Sequence, residues 1–430
     1  MQKGECVSYE QARARWQASN PPRCYLSDYR RPHAKPTIHT KHPRPQKLLV
    51  AIRFQVSQGV SYCCVWLIVY SALAVQLSIL IYNLAYWRRR RLRAGVCADA
   101  PTLSVLIPAR NEVENLPALL ASLAPQLRAG AECWVCDDGS EDGTTEWLAQ
   151  HAELLGVRWF RSAPRPEGWV GKNWACHQLA ARAQGEWLLF LDADMRCAEG
   201  FLDALRAYLQ QTDAQLVSAI PTFTPTSLPV ALLKLMVPFS VFTLLPLPLA
   251  EAHPNPAFAF ANGQVLAFRR DDYRRWQPHR AVRGAVLEDV ALAALVKRQR
   301  GIVQLLDARA WLRVSMYPTL QAAMDGFAKN AVAICRTTPI ALLVGAMLAL
   351  VYLYPLGVLL LQGLHALSVG AAASAVSVFG LSARAVGMPF WMGIGYGGSV
   401  LIGLLTLARS MVWYRRGWVR WKGRVYQARW

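Results

Sequence analysis

The chain has 430 residues, 54% of them apolar and only 17% charged, with a formal net charge of +20. That length holds one sizeable soluble domain plus membrane segments. The basic excess sits in residues 1–53, in Arg88–Arg93 and in a tail carrying Arg415, Arg416, Arg420, Lys422, Arg424 and Arg429 without one acid. It is therefore terminal or juxtamembrane, which excludes a nucleic-acid surface and suits anionic lipid headgroups.

Residues 1–59 contain Pro, Arg and His without sustained periodicity, so a disordered basic segment is expected there. Residues 60–87 come next, with over twenty positions free of charge, enough to cross a core of about 30 Å. They lie too deep in the chain for a signal peptide and read as a membrane anchor. The arginine cluster behind them places the following domain in the cytoplasm. Basic residues ahead of the anchor oppose that rule, but the denser downstream cluster is expected to prevail; a misassigned start would account for the oddity.

From about 102 to 215 strand-like and helix-like segments alternate, the pattern of βαβ units on a parallel sheet. Leu103–Ile107 is a β-type run ending in Pro108-Ala109-Arg110-Asn111-Glu112, and Leu116, Leu119, Leu120 and Leu123 then carry helical spacing. Cys133–Cys136 is a second run, ending in Asp137-Asp138-Gly139-Ser140. Gly171-Lys172-Asn173-Trp174-Ala175 opens a helix. Trp187–Leu191 is a continuous apolar run, read as a fully buried parallel strand that delivers Asp192 and Asp194 at its carboxyl end. In a regular strand those two acids share one face, and two carboxylates beside a substrate diphosphate suit Mg²⁺ or Mn²⁺. Glu288 and Asp289 open a later helix.

These motifs resemble family 2 glycosyltransferases of the GT-A fold, over roughly residues 100–330. The resemblance rests on Ile107–Glu112, Asp137–Ser140 with Asp142-Gly143-Thr144, and Asp192-Ala193-Asp194. Gly263-Gln264, Phe268-Arg269-Arg270 and Glu288-Asp289-Val290 fit the acceptor half. Gly168–Cys176, Met316-Tyr317-Pro318 and Gly326–Asn330 are similar to the membrane-bound carotenoid and carotenoid-acid glycosyltransferases. The fold expected is thus α/β, GT-A, Rossmann-like, with a mostly parallel sheet and flanking helices, plus transmembrane helices.

The resemblance implies that Asp138 accepts a hydrogen bond from a uracil imide, that Pro108, Arg110 and Glu112 line the donor pocket, and that Lys172 stands near the diphosphate. It implies Asp192 at the ribose or the metal, Asp194 as the direct ligand of a divalent Mn or Mg, and Asp289, next to Glu288, as the base that takes the acceptor's proton. Direct attack would then invert the sugar's configuration. If the acceptor is a carboxylate, Asp289 orients it instead. The processive synthases' Q-x-x-R-W motif is missing around Met324–Asn330, which favours transfer of one sugar, and Phe327 stands where the carotenoid-acid group usually has Trp.

Leu228–Ala250 is apolar but holds Lys234 and four prolines, and reads as a surface-lying or re-entrant segment forming the lipid-side mouth of the site. Residues 338–414 are expected to hold about two spanning helices, with Ala371–Leu381 a loop or half-span, before a basic cytosolic tail, 415–430. Cys133 and Cys136, lacking a second pair, read as buried structural thiols rather than a zinc site. Trp413, Trp418, Trp421 and Trp430 read as headgroup-level anchors, Trp169 and Trp174 as shapers of the donor pocket, and His177 as a helix-surface or pocket-wall residue.

The expected protein is a metal-dependent, inverting hexosyltransferase of the inner cell membrane, multi-pass with a cytoplasmic catalytic domain. It would use a UDP-sugar donor and a lipid or terpenoid acceptor, most plausibly a carotenoid. A polyprenyl-phosphate sugar transferase and a catalytically silent membrane scaffold are the alternatives.

Overall fold

The computed structural model describes residues 45–97, 99–127, 130–421 and 424–427. Most of the segment expected to be disordered therefore lies outside the described residues. The chain divides into two compact units, up to Val60 and from Ser61 onward. The helix Pro45–Trp87 begins in the first, and every later element belongs to the second.

Ten strands build the α/β body: β1 Leu103–Ala109, β2 Ala131–Asp137, β3 Arg158–Arg161, β4 Trp187–Leu191, β5 Met195–Cys197, β6 Leu216–Ile220, β7 Thr222–Phe223, β8 Val265–Arg269, β9 Val303–Asp307 and β10 Leu312–Val314. Seven form one sheet in the order β3-β2-β1-β4-β8-β6-β9. Every neighbouring pair is parallel except those of β8, which runs against β4 and β6. All five residues of β4 are buried, as are all five of β6, because helices cover both faces of the sheet. On one face Leu116, Leu119, Leu120 and Leu123 of the helix Leu116–Leu123 bury the stripe their spacing predicts. Each such leucine contributes roughly 1.5–3 kcal/mol. The fold class read from the sequence is the one observed.

Four helical stretches are long and apolar enough to cross a membrane: Tyr62–Arg90, Thr338–Gln362, Ala366–Ala385 and Phe390–Arg415. Three of them come after the α/β body, where the sequence suggests two. Ala371–Leu381, expected as a loop or half-span, lies inside the helix Ala366–Ala385. Its many Ala, Gly and Ser residues depress its hydropathy but allow close packing. The break falls instead at Phe390–Gly395, a 3₁₀ turn seated against Val376 and Gly380, from which Tyr396–Arg415 leads on to Tyr414, whose Oη donates to Lys329 O.

Leu228–Ala250 forms three short helices, Leu228–Lys234, Met236–Leu244 and Leu247–Ala252. It is packed in rather than lying open: Phe239 stacks on Phe379 at 4.5 Å, and Trp87 meets Phe242 edge-on at 5.2 Å. The prolines cut the segment into pieces short enough to wedge between the spanning helices and the sheet.

Candidate active site

The site assembles at the carboxyl ends of β1, β2 and β4. At the end of β2, Asp137 faces inward. Its carboxylate accepts from Ser140 N and Oγ at 3.0 and 2.6 Å and from Thr145 Oγ1 at 2.5 Å, which fixes the turn. Asp138 is therefore turned the other way. Arg110 braces the same turn, Nη1 donating to the carbonyls of Asp138 and Gly139 at 2.7 and 2.6 Å. Glu112 N donates to Thr144 Oγ1 at 2.9 Å, and a Glu112 carboxylate oxygen accepts from Asn115 at 2.8 Å. Pro108 is the penultimate residue of β1, paired in register with Cys136. Cys133 and Cys136 are both buried free thiols, pushed up by burial.

Gly171 opens the helix Gly171–Arg182 against this turn; a Cβ placed there would sit 2.5 Å from Asp138 Oδ2. Asn173, fully buried, donates to the carbonyls of Val282, Arg283 and Ala285 at 3.0–3.2 Å and so ties this helix to the loop leading to Glu288. Trp169 and Trp174 meet edge-on at 5.0 Å, and both rings lie against half-buried His177.

Lys172 is the hub. Its Nζ lies 2.7 Å from Asp192 Oδ1 and 2.9 Å from Glu288 Oε1, and donates to Gly263 O at 3.2 Å. Burial opposes its charge, but the two carboxylates outweigh burial and hold the ammonium well above its ordinary value. Glu288 in turn is held below the usual carboxylate range, because Lys172 and Lys329 outweigh its burial. Asp289 behaves oppositely: burial, with the charge of Glu288 beside it, pushes it up to about 6. Its Oδ2 accepts from Gly263 N at 3.0 Å and Oδ1 from its own helix at Val290 N, 2.8 Å. The two adjacent acids thus lie in opposite electrostatic settings, Glu288 paired with Lys172 and Asp289 raised by burial.

Strand β4 stops at Leu191, and Asp192–Asp194 is a turn, with Met195 N donating to Asp192 O at 3.2 Å. The two acids are therefore not brought together by strand alternation; the turn does it. Both act on Tyr317, whose hydroxyl is raised by burial and then by Asp194 and Asp192. Met316, just before it, has φ of 57°, an uncommon backbone for a non-glycine residue. One or two carboxylates suffice for Mg²⁺ or Mn²⁺ when a diphosphate supplies further oxygens, so Asp192 and Asp194 fit that role. Among the described residues no cluster of three or more His, Cys, Asp or Glu forms a self-sufficient metal cage.

Two lysines that the sequence reading noted only within their segments, and did not assign to the site, stand close to it. Lys234, fully buried, donates from Nζ to Ser315 O at 2.7 Å and is pushed down to about 8 by burial, with Asp194 opposing. Lys329 is pushed down by burial against the pull of Glu288, with the like charge of Lys172 adding to the shift. Their signal was position: a lone cation in an apolar run, and a lysine three residues from buried Gly326 and from buried Val332 on one helix. The C-terminal hairpin was also unforeseen. Strands β11 Trp418–Trp421 and β12 Arg424–Gln427 pair, Trp413 is buried and stacks on Trp418 at 6.1 Å rather than serving as an open anchor, and Arg424 donates to Asp138.

Residues 104–276 match the family described as glycosyl transferase family 2. A 4,4'-diaponeurosporenoate glycosyltransferase of Staphylococcus haemolyticus (strain JCSC1435) is 28% identical over 275 residues, 61% of this chain and 71% of that protein. Its namesake in Staphylococcus aureus (strain bovine RF122 / ET3-1) is 26% identical over 271 residues, 60% of this chain and 68% of that protein. Among solved structures, the mannosyltransferase PcManGT from Pyrobaculum calidifontis, in complex with GDP-Man and Mn²⁺, aligns with 82% of this chain and 99% of its own at 18% identity and a TM-score of 0.45.

Proposed function

We propose, from the match of residues 104–276 to glycosyl transferase family 2, that this chain transfers one sugar from a UDP-sugar to a lipid-soluble terpenoid acid at the cytoplasmic face of a cell membrane, inverting the sugar's configuration. The observation that carries this reading is the Lys172 hub, which holds Asp192 of the donor side and Glu288, neighbour of Asp289, within 3 Å of one ammonium. Donor chemistry and acceptor chemistry therefore meet at one point.

In the proposed reaction the acceptor oxygen bonds to the anomeric carbon while the bond to the diphosphate breaks, and UDP leaves with the electron pair. Lys172, at the N-terminus of its helix, adds charge where the diphosphate develops it. A divalent metal held by Asp194 and Asp192 would supply further positive charge to the departing nucleotide. With a hydroxyl acceptor, Asp289 takes the proton. With a carboxylate there is no proton to take, and Asp289 orients. The relatives are named for a carotenoid acid, and Lys234, carried on the apolar segment that packs on the spanning helices, brings a cation suited to an acceptor carboxylate beside Asp194. Both groups of spanning helices leave from the catalytic body, which supports an acceptor drawn from the membrane.

The test is UDP release from a panel of UDP-sugars by detergent-purified protein with Mn²⁺ or Mg²⁺ and extracted membrane lipids, for wild type and Asp194→Ala. Metal-dependent release lost in the variant supports the donor site. No release with any UDP-sugar rejects it. Adding a polyprenyl phosphate or a terpenoid acid then separates the two acceptor classes.

A further inference from the structure

The basic tail does not simply trail toward lipid headgroups: it turns back into the catalytic body. The hairpin formed by β11 and β12 is anchored by the Trp413–Trp418 stack, and the first residue of β12 is Arg424. Arg424 Nη1 donates to Asp138 Oδ2 and Nη2 donates to Asp138 O at 3.0 Å, the same carbonyl that accepts from Arg110. The side chain of Asp138 is 9% exposed and that of Arg424 22% exposed, so the pair is largely withdrawn from water. A Cβ placed on Gly171 would lie 2.5 Å from both Arg424 Nη1 and Asp138 Oδ2. The guanidinium therefore fills the gap between the Asp138 turn and the start of the Lys172 helix.

We infer that Arg424 sets the donor affinity of this enzyme, by occupying the seat of the nucleotide base until the donor displaces it. The inference rests on the proposed donor site, in which Asp138 receives the base. A carboxylate oxygen already engaged by a guanidinium is a poor acceptor for an imide N–H, and the guanidinium takes up the volume the ring needs. Donor binding then costs the Arg424–Asp138 pair and moves the hairpin. In the opposite arrangement, with Arg424 a ligand of the donor's phosphates, the hairpin closes on the nucleotide rather than leaving it. The two arrangements predict opposite signs for one substitution.

The experiment is calorimetric titration of UDP, and of GDP, ADP and CDP, into the detergent-purified full chain, for wild type, Arg424→Gln and Asp138→Asn. Arg424→Gln is expected to bind UDP about tenfold tighter, the order of one charge-assisted hydrogen bond, and Asp138→Asn to bind it more weakly than wild type. A second measurement guards against a misfolded variant: amide hydrogen exchange over residues 418–427 of wild type should rise at saturating UDP. Arg424→Gln binding within twofold of wild type or more weakly, or exchange unchanged or slowed by UDP, overturns the inference. If UDP binds neither wild type nor Arg424→Gln while another nucleoside diphosphate does, the proposed uridine donor fails instead, and the inference built on it falls too. Binding of no nucleotide to any variant rejects the donor site itself.

Discussion

Lys172 Nζ stands 2.9 Å from Glu288 Oε1, joining the helix Gly171–Arg182 to the helix that opens with the Glu-Asp pair. The same nitrogen is 2.7 Å from Asp192. Replacing it with methionine keeps the stem but leaves two neighbouring carboxylates without their shared cation. We expect kcat/KM to fall about 100-fold or more, with Lys172→Arg restoring little, because a planar fork cannot converge on these acceptors as a point charge does. Activity within fivefold of wild type for Lys172→Met would remove the hub from the mechanism.

Asp289, raised to about 6 by burial and Glu288, gives the reaction a pH signature. As a base it works only when ionised, so kcat/KM for a hydroxyl acceptor should fall below about pH 6 and level off above it. Asp289→Asn should remove that limb and cost about 100- to 10,000-fold. For a carboxylate acceptor the loss should be far smaller, since no proton is transferred. Comparing the variant's loss on an acid and on the matching alcohol decides which role Asp289 plays.

Gly263 lies against Asp289, and an added Cβ would meet Oδ2 at 3.1 Å and Cγ at 3.3 Å. Gly263→Ala should push the carboxylate aside and weaken the 3.0 Å hydrogen bond from Gly263 N. The expected result is a kcat about tenfold lower with UDP binding and melting temperature unchanged, read by steady-state kinetics and titration. An unaltered kcat would show that the position of Asp289 is not limiting.

Asn83 is a polar side chain buried in the first apolar helix. Its amide donates to the carbonyls of Phe242 and Leu245 at 2.8 and 2.7 Å and accepts from Leu247 N at 2.8 Å, satisfying backbone freed by the turn between two short helices. Asn83→Leu should cost about 2–3 kcal/mol, seen as a lower melting temperature in detergent. Val241 of the same segment is also buried, so Val241→Asp is expected to unfold it. Exposed Leu228 and Leu244 are the better probes of that face.

The order of strands and helices, the stripe of Leu116–Leu123 and the acids at strand ends were legible in the sequence, because local periodicity and turn chemistry write them directly. Three of the four long apolar helices were legible for the same reason, while Ala366–Ala385, diluted by Ala, Gly and Ser, was not. Which face Asp137 and Asp138 take was decided by hydrogen bonds to Ser140 and Thr145, and the Asp192–Asp194 turn by the end of the β4 ladder. The Lys172 hub, the buried lysines Lys234 and Lys329, the 3₁₀ turn at Phe390–Gly395 and the return of Arg424 to Asp138 all join segments far apart in the chain. A single sequence records each residue's chemistry and its near neighbours. Which distant charges share a low-dielectric pocket depends on how packed elements meet, and only the tertiary structure sets that.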